Sequence, residues 1–214
     1  MKTETNIISF SLWGNNPKYV DGAIANLKLA PIIYPEWKCR IYVDKSVHID
    51  TLKQLHKLGA EIIQIADERG PFYGMYWRFF VNDDSTVDRY IVRDLDSRLN
   101  WRERAAVDEW IAKGTPVHVM RDHPHHTFPI QGGMWGGTYN CVNNMYQKIC
   151  AWNQYDKYAC DQFFLGNVIW PLIKNNCTVH DPIFSNKPFP QHKPIEDGGT
   201  FVGQIYLDNI PQLA

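Results

Sequence analysis

The sequence lacks strong net charge and any pattern of paired cysteines. Its 22 basic and 23 acidic residues give a net charge of −1, so no global field draws the chain to nucleic acid or anionic lipid. The five cysteines are an odd number without Cys-x-x-Cys spacing, which argues against a disulfide framework and a zinc knuckle. Free thiols are typical of a reducing compartment, and we expect a cytoplasmic protein.

Long apolar runs are also missing. The first residues lack the apolar core of a signal peptide, and no stretch is long enough to cross a bilayer. We therefore expect no membrane insertion. A chain of 214 residues with 44% apolar residues can bury one sizeable core, so we expect a single domain over 1–214. The strand-like pattern near the end of the chain, 201–207, also fits one domain of a longer protein.

Strand patterns alternate with helical patterns along the chain. This alternation predicts an α/β fold with a mostly parallel central sheet flanked by helices. The predicted strands are Asn6–Leu12, Cys39–Val43, Glu61–Ile65, Tyr90–Val92, Pro116–Met120 and Cys177–His180. The predicted helices are Tyr19–Leu29, Thr51 to Gly59 with Asp50 as its cap, 71–81, Asn100 to Ile111, 140–152 and 161–170. Asn100 and Glu103 have capping-box spacing at the start of the fourth of these helices, and Gly114 lies at its end.

Two aspartates follow the fourth predicted strand. Side chains alternate along an extended chain, so Asp94 and Asp96 are expected to point the same way. A carboxylate pair suits Mg²⁺ or Mn²⁺ that keeps positions open for phosphate oxygens. Ligands bind at the carboxyl ends of strands in open α/β sheets. Arg93 and Arg98 flank the pair, so an anionic ligand is expected to meet cationic side chains there.

Two further groups of loop residues have both a functional and a structural interpretation. Asp44 and Asp67 follow the second and third strands, where doubly wound sheets bind ribose and base groups, but each also suits a turn or a cap. Gly132, Gly133, Gly136 and Gly137 predict a glycine-rich turn that lets the backbone approach a ligand, or merely a tight turn with a bulge. They fit neither a Walker loop nor a dinucleotide fingerprint.

Later polar residues are equally open to two interpretations. Asp161 and Gln162 begin a predicted helix, where an acidic side chain also serves as a cap. His180 follows a strand and is either a nitrogen ligand for the same ion or a structural residue. The segment 122–126 contains three histidines without a zinc-binding spacing, and we expect it to form a mobile loop beside the cleft.

In this order, the motifs resemble those of GT-A-fold, metal-dependent glycosyltransferases over nearly the whole chain. The resemblance implies a nucleotide-sugar-binding half, 1–100, and an acceptor-side half, 101–214, that forms a smaller lobe. It implies Mn²⁺ or Mg²⁺ on Asp94, Asp96 and His180, and a UDP-sugar as the donor. The acceptor would be a glycan or glycoprotein, with no nucleic acid partner.

The later motifs resemble those of the retaining branches of this family. Asp161 and Gln162 are similar to an Asp-Gln pair near the anomeric carbon, which implies a catalytic role. The segment 131–137 is similar to the glycine-rich turn of the donor and acceptor pockets, and Lys187-Pro-Phe to a motif whose lysine contacts phosphate. The residues expected to contact the donor are Ser11, Trp13, Asp44, Arg78, Arg93, Asp94, Gly132, Gly133 and Lys187.

A closer resemblance is to a compact subgroup found in bacterial surface-polysaccharide loci and large DNA viruses. The motifs that carry it are Arg93 to Leu99, Met120 to Pro124, Gly132 to Gly136, Asp161-Gln162 with Ile169 to Pro171, and Phe201 to Gln204. For a viral member, the expected location is the host cytoplasm.

Three other functions remain open on the sequence. A metal-dependent phosphoesterase or nuclease would use the two aspartates with His123, His125, His180 and Asp181, and it needs a two-metal cage. A nucleotidyltransferase would want a basic, glycine-rich loop after the first strand, and the basic part is missing. A glycan-binding module without chemistry would use Trp13, Trp77 and Trp135 as a sugar platform.

Overall fold

The computed structural model describes residues 4–67, 69–195 and 199–212. Its strands are β1 Asn6–Leu12, β2 Trp37–Val43, β3 Glu61–Gln64, β4 Arg89–Arg93, β5 Val117–Met120, β6 Met134–Thr138, β7 Cys177–His180, β8 Tyr206–Leu207 and β9 Ile210–Pro211. Its α-helices are α1 Pro17–Ile33, α2 Ile49–Lys57, α3 Gly74–Trp77, α4 Trp101–Lys113, α5 Met145–Trp152, α6 Cys160–Phe164 and α7 Trp170–Ile173.

Seven of the strands form one mixed sheet in the order β3-β2-β1-β4-β6-β5-β7. The pairs β1 with β2, β1 with β4, β2 with β3, and β5 with β7 are parallel. Only β6 runs antiparallel to its neighbours β4 and β5 within the described sheet. The predicted α/β class with a mostly parallel sheet is confirmed, and both predicted halves of the chain contribute strands to this one sheet.

The sequence predicts a glycine-rich turn over 131–137, and that prediction is wrong from Met134 onward. The segment Met134–Thr138 forms β6, a strand in the interior of the sheet. A Cβ on Gly136 would lie 2.5 Å from the Tyr90 carbonyl oxygen, and one on Gly137 would overlap the Cys141 sulfur. These glycines therefore let β6 pack closely between its neighbours.

Several helix boundaries also differ from the predicted ones. The aromatic segment 71–81 forms the short helix α3 and a 3₁₀ turn, Phe80–Asp83, in place of one continuous helix. The cap of α2 is His48, whose Nδ1 accepts the Asp50 N–H at 3.3 Å, and not Asp50. The segment 161–170 passes through a π-helical turn, Leu165–Ile169, ahead of α7. Pro171 has no N–H to donate to that turn.

Two apolar clusters cover the two faces of the sheet. Along β1, Ile8 and Phe10 face the cluster formed with α1, α2 and α4, while Ile7 faces the cluster formed with α3, α5 and α6. Ser9 lies on the second face, where its hydroxyl donates to the Arg78 carbonyl at 2.7 Å. This contact fixes the C-terminal end of α3 beside the middle of β1.

Helix α4 is fastened to β4 by a buried ion pair. The Asn100 side chain accepts the Glu103 N–H at 2.9 Å and caps the helix as predicted. The Glu103 carboxylate does not complete a capping box. Instead it accepts from Arg93 Nε at 3.1 Å and from the Tyr34 hydroxyl at 3.0 Å.

Within the described ranges, no helix combines the length and apolar character needed to cross a membrane.

Candidate functional site

A cavity of about 600 Å³ opens at the carboxyl ends of β1 and β4. Its volume is typical of a small-molecule site. The loop after β1, helix α3, the turn after β4 and the start of α6 all contribute to its walls. The predicted site residues that line it are Ser11, Trp13, Arg78, Asp94, Asp96, Gly132, Asp161 and Gln162.

Arg78 links two carboxylates at the base of this cavity. Its side chain forms ion pairs with Asp94 and with Asp161, the latter at 2.8 Å from Nη2 to Oδ2. The Arg78 N–H donates to Ser11 Oγ at 2.9 Å, which holds the arginine backbone against β1. Burial raises the pKa of Asp161, while the neighbouring Arg78 guanidinium opposes this rise. Arg78 therefore stabilises the charged form of a buried carboxylate.

Asp94 and Asp96 both face the cavity, although they lie in the turn beyond β4 and not in the strand itself. The Asp94 side chain is 42% exposed and that of Asp96 is 15% exposed. Leu95 between them is buried. Burial raises the pKa of Asp96, and the nearby negative charge of Asp94 raises it further. The two carboxylates therefore repel one another and favour a cation beside them.

The turn at Gly132 and Gly133 brings the backbone against these carboxylates. A Cβ on Gly132 would lie 2.7 Å from Asp161 Oδ2, and a Cβ on Gly133 would overlap the Asp94 carboxylate. The Gly132 N–H also donates to Gln162 Oε1 at 3.0 Å. A larger side chain at either glycine would have to displace a carboxylate that faces the cavity. The close approach of the backbone to these two carboxylates therefore requires glycine at both positions.

The structure does not bring His180 to Asp94 and Asp96. The His180 Nδ1 lies 2.8 Å from His118 Nε2, its Nε2 lies 3.5 Å from Glu109 Oε1, and the ring is buried. Because β6 and β5 separate β4 from β7, the histidine lies at the far edge of the sheet. Across residues 4–67, 69–195 and 199–212, no group of three or more His, Cys, Asp or Glu side chains is arranged to hold a metal.

The expected cationic contacts also lie elsewhere. Arg93 is buried and bonded to Glu103, and it does not line the cavity. Arg98 is buried and donates to the backbone carbonyls of its own turn. Lys187 is exposed and forms a backbone bridge with Asp181, outside the cavity wall. In each case a contact within the fold holds the basic residue away from the cavity.

The aspartates after β2 and β3 behave as turn residues. Asp44 accepts the Ser46 N–H at 3.0 Å, which closes a turn, and it does not line the cavity. Asp67 accepts from Arg69 Nε at 2.6 Å and is likewise outside the cavity wall. The geometry therefore supports a role in local turns for both residues, and not contact with a ligand in the cavity.

The predicted tryptophan platform is not assembled. Trp13 lines the cavity, but Trp77 and Trp135 are buried in the apolar cluster on the α3 side of the sheet. Trp77 meets Trp13 edge to face at 6.1 Å between ring centroids. One tryptophan is therefore available to a ligand, and the other two support the core.

Sequence reasoning missed several residues at the cavity. Tyr19 and Tyr158 line it, and Lys18 Nζ lies 2.6 Å from Asp96 Oδ2. The signal for Lys18 was its position in the first turn of α1, where the helix dipole disfavours a cation.

His126 was not predicted as a site residue, but it also lines the cavity. Its Nδ1 accepts the Asp122 N–H at 3.0 Å, so the neutral ring carries its proton on Nε2. Burial, together with the neighbouring His123, lowers the pKa of His126 to about 4. The segment 122–126 does lie beside the cavity, and Asp122 accepts from Arg102 Nε at 2.6 Å and from the Val202 N–H at 2.8 Å.

The fold is shared with solved structures, although no protein-family model and no curated protein sequence matches the chain. A glycosyltransferase involved in glycosylation of the major capsid of PBCV-1 aligns with a TM-score of 0.54 and 13% identity, covering 83% of this chain and 82% of the other. A mannosyltransferase from Pyrobaculum calidifontis, solved with GDP-Man and Mn²⁺, aligns with a TM-score of 0.53 and 10% identity, covering 92% and 59%.

A synthase also has a similar fold. The 4-diphosphocytidyl-2C-methyl-D-erythritol synthase of Anaerococcus prevotii aligns with a TM-score of 0.54 and 10% identity, covering 86% of this chain and 89% of the other. The chain therefore has a GT-A-like α/β fold, and one fold of this kind can support more than one chemistry.

Proposed function

We propose that this protein is a metal-dependent glycosyltransferase that moves a sugar from a UDP-sugar to a hydroxyl group of a glycan or glycoprotein, with retention of the anomeric configuration. The observation that carries this proposal is the placement of Asp94 and Asp96 on a cavity that also contains Asp161, at the carboxyl end of β4. The glycosyltransferases among the structural neighbours support the same activity.

Asp94 and Asp96 would hold the Mn²⁺ or Mg²⁺. The fit rests on their shared cavity wall and on the repulsion that helps to raise the pKa of Asp96 after burial. Hard carboxylate oxygens suit either ion. When bound, the cation would act as a Lewis acid that offsets the negative charge developing on the departing diphosphate, worth several kcal/mol. His180 is not part of this proposed ligand set, because it lies at the far edge of the sheet.

Arg78 would stabilise the same developing charge from the protein side. A preorganised donor aimed at developing charge is worth about 3 to 4 kcal/mol in the transition state. The Arg78 backbone is held by Ser9 and Ser11, and its guanidinium by Asp161. The arginine therefore needs little reorganisation when a diphosphate arrives.

Asp161 and Gln162 would act at the sugar end. An oxocarbenium-like centre has to be shielded or briefly trapped by a nearby nucleophile, by analogy with the carboxylates of glycosidases. Asp161 forms an ion pair with Arg78, which favours its charged form, and Gln162 is oriented by the Gly132 N–H. Both side chains line the cavity. Retention at the anomeric carbon is the outcome expected of this arrangement.

The experiment that tests this function is a turnover assay over a panel of nucleotide sugars. Nucleoside diphosphate release should require Mn²⁺ or Mg²⁺ and should be highest with one UDP-sugar. Replacing Asp94 with Asn should lower turnover by about 10²-fold or more, whereas Asp50→Asn at the exposed cap turn of α2 should leave it unchanged. Equal turnover in EDTA would exclude the metal-dependent mechanism. An inverted product, detected by NMR, would exclude retention.

A nucleotidyltransferase is the second candidate, because the cytidylyl-type synthase from Anaerococcus prevotii has a similar fold. Such an enzyme would release pyrophosphate from a nucleoside triphosphate and a sugar phosphate. Pyrophosphate release without turnover of any nucleotide sugar would favour this candidate. The phosphoesterase interpretation is weaker, since His180 is remote from the aspartate pair. We also propose a cytoplasmic location, supported by the five free cysteines.

A further inference from the structure

The first turn of α1 places a lysine on one of the two aspartates that face the cavity. Lys18 Nζ lies 2.6 Å from Asp96 Oδ2, and the two side chains are 24% and 15% exposed. The ammonium also lies 5.2 Å from the centroid of the Tyr19 ring. Tyr19 and Asp96 both line the cavity. The lysine therefore lies at the boundary between the protein and the space that a ligand would fill.

This position is electrostatically costly for a lysine. Asn16 caps α1 by accepting the Lys18 N–H at 3.0 Å, and the first turn contains no acidic residue. Cations are disfavoured at a helix N-terminus because the dipole is positive there. Asp96 offsets that cost in the free protein. A dication bound to Asp96 would remove this partner, and the ammonium would then need another anion within reach.

We propose that Lys18 is a phosphate-binding residue that exchanges partners when the site is filled. In the free protein its ammonium neutralises Asp96. When a divalent cation takes the Asp96 carboxylate, Lys18 turns on its flexible four-carbon stem and binds a diphosphate oxygen of the donor. This inference rests on the proposed function, and it names the residue that takes the phosphate-binding role expected of Lys187. No covalent step is involved.

Three facts favour Lys18 for this role over the other basic residues near the site. Lys187 is exposed, bridged to Asp181 and outside the cavity wall. Arg93 is committed to a buried pair with Glu103. Lysine binds phosphate as a mobile point charge with three donors, whereas arginine acts through a rigid fork. The rigid role belongs to Arg78, and the mobile one to Lys18.

The proposal predicts that Lys18 has opposite effects on two ligands. Lys18 competes with a divalent cation for Asp96 but assists a diphosphate. In Lys18→Met, Mn²⁺ titrated alone should therefore bind about three- to tenfold more tightly than in the wild type. UDP titrated in the presence of saturating Mn²⁺ should bind about tenfold more weakly. A residue with a purely structural role would weaken both ligands or neither.

Two variants act as controls. Lys28→Met removes an exposed lysine from the same helix and should change neither affinity. Lys18→Arg keeps the positive charge and should restore most of the UDP affinity that Lys18→Met loses. Thermal unfolding of each variant establishes that it is folded.

The outcomes distinguish failure of the Lys18 proposal from failure of the proposed function. In Lys18→Met, tighter binding of Mn²⁺ together with weaker binding of UDP supports the proposed exchange of partners by Lys18. Parallel shifts, or none, in a wild type that binds both Mn²⁺ and UDP overturn the assignment of Lys18 and leave the proposed function intact. A wild type that binds neither ligand overturns both.

Discussion

Arg78 Nη2 lies 2.8 Å from Asp161 Oδ2, and both side chains are buried. The same guanidinium also contacts Asp94, which is more exposed. One side chain thus joins the carboxylate proposed to act on the sugar to a carboxylate proposed to hold the cation. The spacing of these two carboxylates depends on the buried Arg78 guanidinium. Loss of this guanidinium should affect both stability and chemistry.

The first prediction concerns the stability of this pair. Arg78→Met should lower the free energy of unfolding by about 3 to 5 kcal/mol, because it leaves Asp161 buried without its partner. Urea unfolding followed by tryptophan fluorescence measures this change. The double variant Arg78→Met/Asp161→Asn should recover part of the loss, since no unpaired charge remains at position 161. This account would be contradicted if the double variant lost as much free energy of unfolding as the two single variants lose in sum.

The second prediction concerns the close approach of the backbone at Gly133. Gly133→Ala should weaken Mn²⁺-dependent UDP binding by about tenfold or more, because the added methyl group would overlap the Asp94 carboxylate. Overpacking of this kind also costs about 1 to 3 kcal/mol of stability. Gly166→Ala is the matched control, since its Cβ would lie 3.8 Å from Pro129 in ordinary contact. Equal UDP affinity in the two variants would show that position 133 tolerates a side chain.

The third prediction concerns the pH dependence of stability at His126. Burial lowers the pKa of this ring to about 4 in the folded chain, against about 6.5 in the unfolded chain. The unfolded state therefore binds more protons between these values, and stability falls as the pH drops from 6.5 towards 4. The contribution lost is up to about 3 kcal/mol.

Urea unfolding at several pH values tests this assignment. His126→Gln should make the free energy of unfolding less steep between pH 6.5 and pH 4 than it is in the wild type. His192→Gln, at an exposed histidine, should keep the wild-type slope. A slope unchanged by His126→Gln would assign the acid sensitivity to other groups, such as the buried pair His118 and His180.

The fourth prediction separates binding from chemistry at Asp161. Asp161→Asn keeps the shape of the side chain and an oxygen for Arg78, but it removes the negative charge. We expect kcat to fall by about 10²-fold or more while the affinity for UDP with Mn²⁺ changes by less than about threefold. Steady-state kinetics and calorimetry measure the two quantities. A fall in UDP affinity as large as the fall in kcat would make Asp161 a binding residue only.

Local pattern was sufficient to predict most of the elements. The bounds of β1 and β7 agree with the predicted strands Asn6–Leu12 and Cys177–His180, because short segments rich in β-branched and aromatic residues and bounded by turn residues indicate strands. The cap at Asn100 and the left-handed Gly114 at the end of α4 were equally local signals. Turn residues, caps and apolar runs act over a few residues, so they can be recognised in one sequence.

The errors come from interactions between distant parts of the chain. The strand order places β6 and β5 between β4 and β7, and that order separates His180 from the aspartate pair. No local pattern specifies it. Glycine clusters are common in turns, so the interior strand β6 was mistaken for one. The Lys18 contact with Asp96 joins residues far apart in the sequence, so it was visible only as a lysine at an unfavourable helix position.

The central claim is that Asp94 and Asp96 together hold a divalent cation that binds the diphosphate of the donor. The most direct test is calorimetric titration of UDP into the wild type and into the double variant Asp94→Asn/Asp96→Asn, each with Mn²⁺ and with EDTA. The account predicts that Mn²⁺ tightens UDP binding to the wild type by about tenfold or more, and not to the variant. Equal tightening by Mn²⁺ in both proteins, or none in the wild type, would contradict it.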